Sequence, residues 1–190
     1  MNHTELDLER TLAYHGAPAM AGIKSVDLIA WGSPEACSTP LFRQYQHQLA
    51  RRGIQLRVIW TGCPRCLLLV YRPALLERHL ARPEVDRLLV QAGYPAEGPL
   101  SGRLAYLRRR LTAAGGFPHE IGLFLGYPLG DVEGFIMNRG QNCKCCGCWK
   151  VYGDEEQALR RFAQYRKCQA VYLRLWQAGR TVEQLTVAAG

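Results

Sequence analysis

The segment from Phe117 to Tyr152, FPHEIGLFLGYPLGDVEGFIMNRGQNCKCCGCWKVY, constrains this chain more than any other. It joins a His-Glu pair, two glycine-punctuated apolar runs and four of the eight cysteines. The cysteines fall as Cys143, Cys145, Cys146 and Cys148, two overlapping C-x-x-C pairs. Two thiolates at that spacing can bind one ion, because a tight turn brings both sulfurs to one side. Gly147 permits the turn. Lys144 and Lys150 are expected to lower the thiol pKa values and favour thiolates. Soft thiolates select zinc, cuprous copper or an iron-sulfur cluster. Adjacent Cys145 and Cys146 do not readily face the same ion, so a further ligand is expected from Cys63, Cys66, His119 or Cys168.

His119-Glu120 follows Pro118 at the start of an expected helix. The positive end of a helix dipole favours neutral imidazole, the form needed for coordination or general-base chemistry. No second histidine follows at zinc-protease spacing, so capping and surface polarity explain the pair equally well. Cys63-Pro64-Arg65-Cys66 has a dithiol composition, but Leu67 to Tyr71 reads as a strand. That puts the pair on a hairpin tip, as in a zinc knuckle, and not at the helix start of a thioredoxin site. The plainer reading is structural thiols.

The run Glu120 to Ile136 has the rhythm of helix-turn-helix, with Pro128 in the turn and Val132, Phe135 and Ile136 inward. A recognition helix should offer basic or amide side chains to the major groove, and this one offers Asp131 and Glu133. A packed helical hairpin is the better reading, and nucleic acid is disfavoured as a partner. The net charge of +8, from 24 basic and 16 acidic residues, agrees with a solvated surface, since the arginines are scattered over helices.

Hydrophobic residues make up 48% of the chain, enough for a buried core. No run approaches the ~20 apolar residues of a membrane helix. The first residues lack a basic region followed by an apolar core, so they do not read as a secretory signal. The expectation is a cytoplasmic protein whose cysteines are thiols or metal ligands and not a disulfide framework.

Along the chain, residues 5–15 read as an amphipathic helix ended by Gly16 and Pro18. Ala19 to Lys24 reads as small and flexible. His15 and Lys24 bracket this stretch, where backbone could approach a ligand closely, although an ordinary helix-to-strand link explains it too. Strands are expected at Ser25–Trp31, Ile54–Thr61 and Cys66–Arg72, the last two as a hairpin. Helices are expected at 40–52, 73–80, 83–93, 100–114 and 154–177. Gly115-Gly116 should close the fourth of these, and Thr181 should cap a last short helix through a Thr-x-x-Gln box. The expected fold class is α+β, a small mixed sheet of about three strands with a predominantly helical C-terminal half. It should form one domain over 1–190, sheet-containing to about residue 95.

The motif FPHEIGLFLGYPLGDVEGFI…NCKCCGCWKVYGDEE, with His15, Ala17-Pro18, Gly22-Ile23-Lys24 and Tyr71-Arg72-Pro73, resembles an uncharacterised bacterial domain family of unknown function, number 3793. The resemblance covers nearly the whole chain and implies no activity. It implies a shared site of Cys143, Cys145 and Cys146 with His119 and Glu120. Relatives tend to have an aromatic in place of Cys148 and a cysteine in place of Gly16. They need not carry Cys63 and Cys66.

The leading expectation is a cytoplasmic metal-binding or redox-linked protein. Zinc or iron, including iron-sulfur, is the candidate cofactor, and a small molecule or redox protein the candidate partner. His119 would supply imidazole or a proton, with His15 and Lys24 in the same pocket. The alternatives are a thiol enzyme with His119 as base and a nucleic-acid-binding module.

Overall fold

The computed structural model describes residues 3–62, 64–113 and 117–188, which form two compact units. The first comprises residues 1–76 and 167–190, and the second residues 77–166.

The first unit opens with α1 (His3–His15), followed by the single turn α2 (Ala17–Met20). Then come β1 (Val26–Trp31), a 3-10 turn at Ala36–Ser38, α3 (Pro40–Ala50), β2 (Gln55–Trp60) and β3 (Cys66–Tyr71). The strand order is β1-β3-β2, and both pairings are antiparallel where a mixed sheet was expected. Trp31 lies opposite Cys66 and Val26 opposite Tyr71, while a bulge at Val58–Trp60 shifts the other edge. The central strand buries Cys66, Leu68, Leu69, Val70 and Tyr71. A strand covered on both faces has no need of polar alternation, which explains the apolar run CLLLVY.

Helix α3 starts where its sequence says it should. The Thr39 hydroxyl accepts the Phe42 N–H at 3.2 Å, and Pro40 occupies the first turn. Phe42, Tyr45 and Leu49 recur at helical spacing and join Leu8, Leu12, Leu68 and Val70 in the core. Glu9 is buried beside them. Its carboxylate accepts the Tyr45 hydroxyl at 2.9 Å and the Trp176 indole N–H at 3.0 Å.

The stretch expected to be flexible after α1 is partly a buried turn, with Ala17, Pro18, Ala19 and Met20 all sealed from solvent. Two buried ions hold it. Asp27 accepts the Ala19 N–H at 2.9 Å, and the Arg72 guanidinium donates to the carbonyls of Ala19 (2.8 Å), Met20 (2.6 Å) and Val187 (2.7 Å).

The second unit begins within α4 (Pro73–Leu80) and continues with α5 (Pro83–Gln91) and α6 (Leu100–Thr112). The expected closing residues Gly115 and Gly116 lie outside the described residues. Two short helices follow, α7 (Ile121–Phe124) and α8 (Leu129–Met137), as the packed-hairpin reading anticipates. Val132 is buried, whereas Ile136 is 46% and Met137 81% exposed, so the expected inward position of Ile136 is corrected. The cysteine run then forms strands that sequence reading did not anticipate, β4 (Cys145–Cys146) and β5 (Lys150–Val151). Helix α9 (Glu155–Gln177) starts in the second unit and ends in the first. The last helix, α10 (Val182–Leu185), carries both hydrogen bonds of the expected capping box. Among the described residues, no helix is long and apolar enough to cross a membrane.

Replacing Arg72 by Leu removes three charge-assisted hydrogen bonds, two of them buried, and should lower unfolding stability by about 3 kcal/mol. Urea unfolding followed by circular dichroism checks this, and a loss under about 1 kcal/mol would contradict the clamp.

Candidate functional site

Asp131, from the first turn of α8, is 3% exposed and organises the cysteine hairpin. Its Oδ1 accepts the N–H groups of Tyr152 (2.8 Å) and Gly153 (2.7 Å). Its Oδ2 accepts the Trp149 indole N–H at 2.7 Å. Three charge-assisted bonds offset the cost of burying the carboxylate and fix where β5 leaves the hairpin. In β4–β5, Cys145 faces Val151 and Cys146 faces Lys150. Lys144 N–H closes the pair on the Val151 carbonyl at 2.8 Å.

An aromatic stack supports the hairpin from below. Trp149 lies between Tyr127, 5.0 Å away and stacked, and Phe162 of α9, 4.5 Å away and edge-on. The expectation that Gly147 is there for the turn needs amendment. A Cβ at this position would sit 2.3 Å from the Phe162 ring, so glycine is required because a ring occupies the side-chain space.

Neighbouring strand residues point to opposite faces. Cys145 is accordingly half-buried and Cys146 exposed, as the adjacency argument anticipated. Cys143 is half-buried and Cys148 exposed. The Cys145 thiol is pushed above its ordinary pKa, first by desolvation. The Glu155 carboxylate, which accepts its hydrogen bond, adds to the effect, followed by Cys143 and Asp131. At Cys145 this is the reverse of the expected lysine activation. Lys144 Nζ donates to the Gly153 carbonyl at 2.6 Å and Lys150 Nζ to the Gly140 carbonyl at 2.7 Å. Both ammonium groups serve backbone.

The Tyr152 hydroxyl belongs to the same neighbourhood. Desolvation and Cys143 push its pKa up, and it is sealed from water with no hydrogen-bond partner among the described residues. A buried orphan hydroxyl is uncommon in a settled fold. At the root of the hairpin the Cys145 thiol meets the Glu155 carboxylate, and Cys143 acts electrostatically on both Cys145 and Tyr152. Among the described residues, no three His, Cys, Asp or Glu side chains are already gathered as a metal site.

The other expected site residues are distributed as follows. His119 is exposed, and its ring packs 5.0 Å from Phe135. Glu120 is buried away from that role. It accepts the Tyr94 hydroxyl at 3.2 Å and pairs with Arg110 at 3.1 Å. Cys66 is the first residue of β3 and fully buried in the core of the first unit. Its thiol partner is Cys37, whose pKa is pushed up to about 12 by burial and by Cys66. Cys63 lies outside the described residues. His15 and Lys24 belong to the first unit and converge on buried Asp27. Lys24 Nζ reaches its Oδ1 at 2.9 Å, and Asp27 acts electrostatically on His15.

Sequence reasoning missed Glu155, Tyr152 and Asp27, and read Asp131 only as a DNA-repelling charge. Glu155 reads as an ordinary first-turn acid and Tyr152 as an ordinary aromatic. The available signal for Asp27 was an acid inside an otherwise apolar strand, VDLIAW.

A family model described as protein of unknown function (DUF3793) matches residues 12–186, and the chain belongs to that family. Comparison with curated proteins and with solved structures finds no match.

Two outcomes follow from this geometry. Asp131→Ala should cost about 3 kcal/mol of stability, measured by urea unfolding, because it leaves three donors unpaired. In the folded protein, Cys146 and Cys148 should alkylate at least about tenfold faster than Cys37, Cys66 and Cys168. The last three are slowed by burial, which also pushes the Cys168 thiol to about 11. Peptide mass spectrometry after brief alkylation gives the order, and equal rates would refute it.

Proposed function

We propose that the protein is a metal-linked thiol protein whose hairpin takes a zinc-class divalent cation on Cys143, Cys145 and Glu155. The observation that carries this reading is the meeting of the Cys145 thiol with the Glu155 carboxylate beside Cys143. Desolvation and the neighbouring carboxylate make the Cys145 thiol keep its proton, and a cation taking that proton's place would supply the positive charge the cluster lacks. Two sulfurs and an oxygen make a donor set suited to zinc, with Tyr152 or water for the fourth position. An iron-sulfur cluster prefers four thiolates, and Cys146 faces away from Cys145. Binding would draw the three ligands together, which the rigid Asp131 support makes a local rearrangement. The reading assumes a reducing compartment, the cytoplasm, where thiols stay available. The raised Cys145 thiol speaks against a resting thiolate nucleophile there.

Cobalt(II) titration of anaerobic protein tests the reading, with zinc as competitor. One ion per chain should bind with a thiolate-to-metal absorption band. Cys145→Ser and Glu155→Gln should each weaken binding at least about tenfold, while Cys146→Ser should leave it within about twofold. Affinity should rise with pH, because each thiol ligand must release its proton. Absence of the thiolate band, or unchanged binding in Cys145→Ser, would overturn it.

A further inference from the structure

A cleft of about 400 Å³ opens in the first unit, lined by Arg10, Thr11, Tyr14 and His15 of α1 and Leu173 of α9. The lining offers a guanidinium, an imidazole, two hydroxyls and one aliphatic wall, and it contains no carboxylate. Tyr14 stands edge-on to His15, ring centroids 4.8 Å apart.

Elsewhere in the first and second units, Arg72, Arg103 and Lys24 have protein partners. Arg72 donates to three carbonyls. Arg103 donates to the carbonyls of Leu80, Pro95 and Ala96 and pairs with Asp86. Lys24 pairs with Asp27. Arg10 and His15 instead stand exposed at the cleft, and neither has a hydrogen bond or ion pair among the described residues. Asp27 lies behind His15, but its two oxygens are taken by Lys24 and the Ala19 N–H. Two donors thus face a cleft with no acceptor of their own.

We propose that this cleft binds a small oxyanion, a carboxylate or phosphate group held between Arg10 and His15, with the ligand's carbon portion against Leu173 and the Tyr14 ring. Charge and hydrogen-bond count both select an anion: guanidinium prefers planar or tetrahedral oxyanions, and imidazole gains a partner when protonated. The site lies outside the thiol hairpin and does not depend on it.

Proton uptake accompanies binding. The His15 pKa is held below its ordinary value, first by burial and also by Arg10 of the same helix, while Asp27 of β1 opposes them. Lys24 partly screens Asp27. From α9, Cys168 interacts with Asp27 and Tyr172 with Cys168 and Arg72. An anion between Arg10 and His15 cancels the Arg10 repulsion, so it favours imidazolium. Anion affinity should therefore rise as pH falls through the His15 titration.

The test is NMR titration of the full chain with inorganic phosphate and, separately, benzoate, following the His15 ring resonance assigned through His15→Gln. The expected result is a saturable shift with a Kd of about 1 mM for at least one probe, tighter near pH 6 than near pH 8. The probe that saturates distinguishes a phosphate site from a carboxylate site. Arg10→Gln should weaken binding at least tenfold. Arg10 is exposed, so the variant should keep the wild-type fold, and circular dichroism checks this. Cys145→Ser should bind the anion like wild type, which separates this site from the hairpin. A shift that never saturates, or one unchanged in Arg10→Gln, would overturn the proposal.

Discussion

Arg72 is the point on which the first unit turns. Its guanidinium takes three carbonyls, two from the α2 turn and one from Val187 near the other end of the chain. Val187 N–H returns a bond to the Met20 carbonyl at 3.1 Å. Asp27, opposite in charge and equally buried, holds the Ala19 N–H of the same turn. A single helical turn has too few internal bonds to persist alone. This one persists because two ions, Asp27 on β1 and Arg72 just past β3, satisfy the groups it leaves over. An ion buried without such partners would cost several kcal/mol, so the turn and the ions require each other.

The second unit repeats the device with a different ion. Asp131 gathers an indole and two backbone N–H groups and thereby sets the path of the chain out of the cysteine hairpin. A two-stranded ribbon of two residues each is not stable by itself. Here it is held by the Asp131 bonds, the Tyr127–Trp149–Phe162 stack and the close approach of Gly147 to Phe162. The thiols therefore project from a rigid base although they sit at the surface, which is the condition a ligand set needs to be selective.

The elements bracketed by punctuation were legible in the sequence. Pro73 to Leu80, the Thr39–Pro40 start of α3 and the Thr181 capping box fall where the proline, glycine and hydroxyl signals put them. The three strands of the main sheet were legible from β-branched and aromatic runs. Strands β4 and β5 were not, because two residues show no period and their pairing comes from Asp131 and the aromatic stack. The site was legible only as a density of cysteines. That Lys144 and Lys150 serve carbonyls, and that Glu155 meets Cys145, depends on how a hairpin and a helix pack. Ten residues separate Cys145 from Glu155, and no spacing rule links them. His15 and Lys24 were noticed through their surroundings in sequence, while the buried carboxylate that unites them looked like one polar residue in a strand.

Trp149 sits at an unusual junction. Its indole N–H is tied to a buried carboxylate, its faces meet Tyr127 and Phe162, and the next residues back along the chain are Cys148 and Gly147. Indole emission responds to nearby charge, to the loss of a hydrogen bond and to quenching by heavy or paramagnetic ions. The protein thus carries a native optical gauge a few bonds from its thiols, in a rigid setting where small displacements of the hairpin alter its light output. With Trp31, Trp60 and Trp176 replaced by Phe, events at the cysteines can be followed in real time without attaching a reporter to the groups under study.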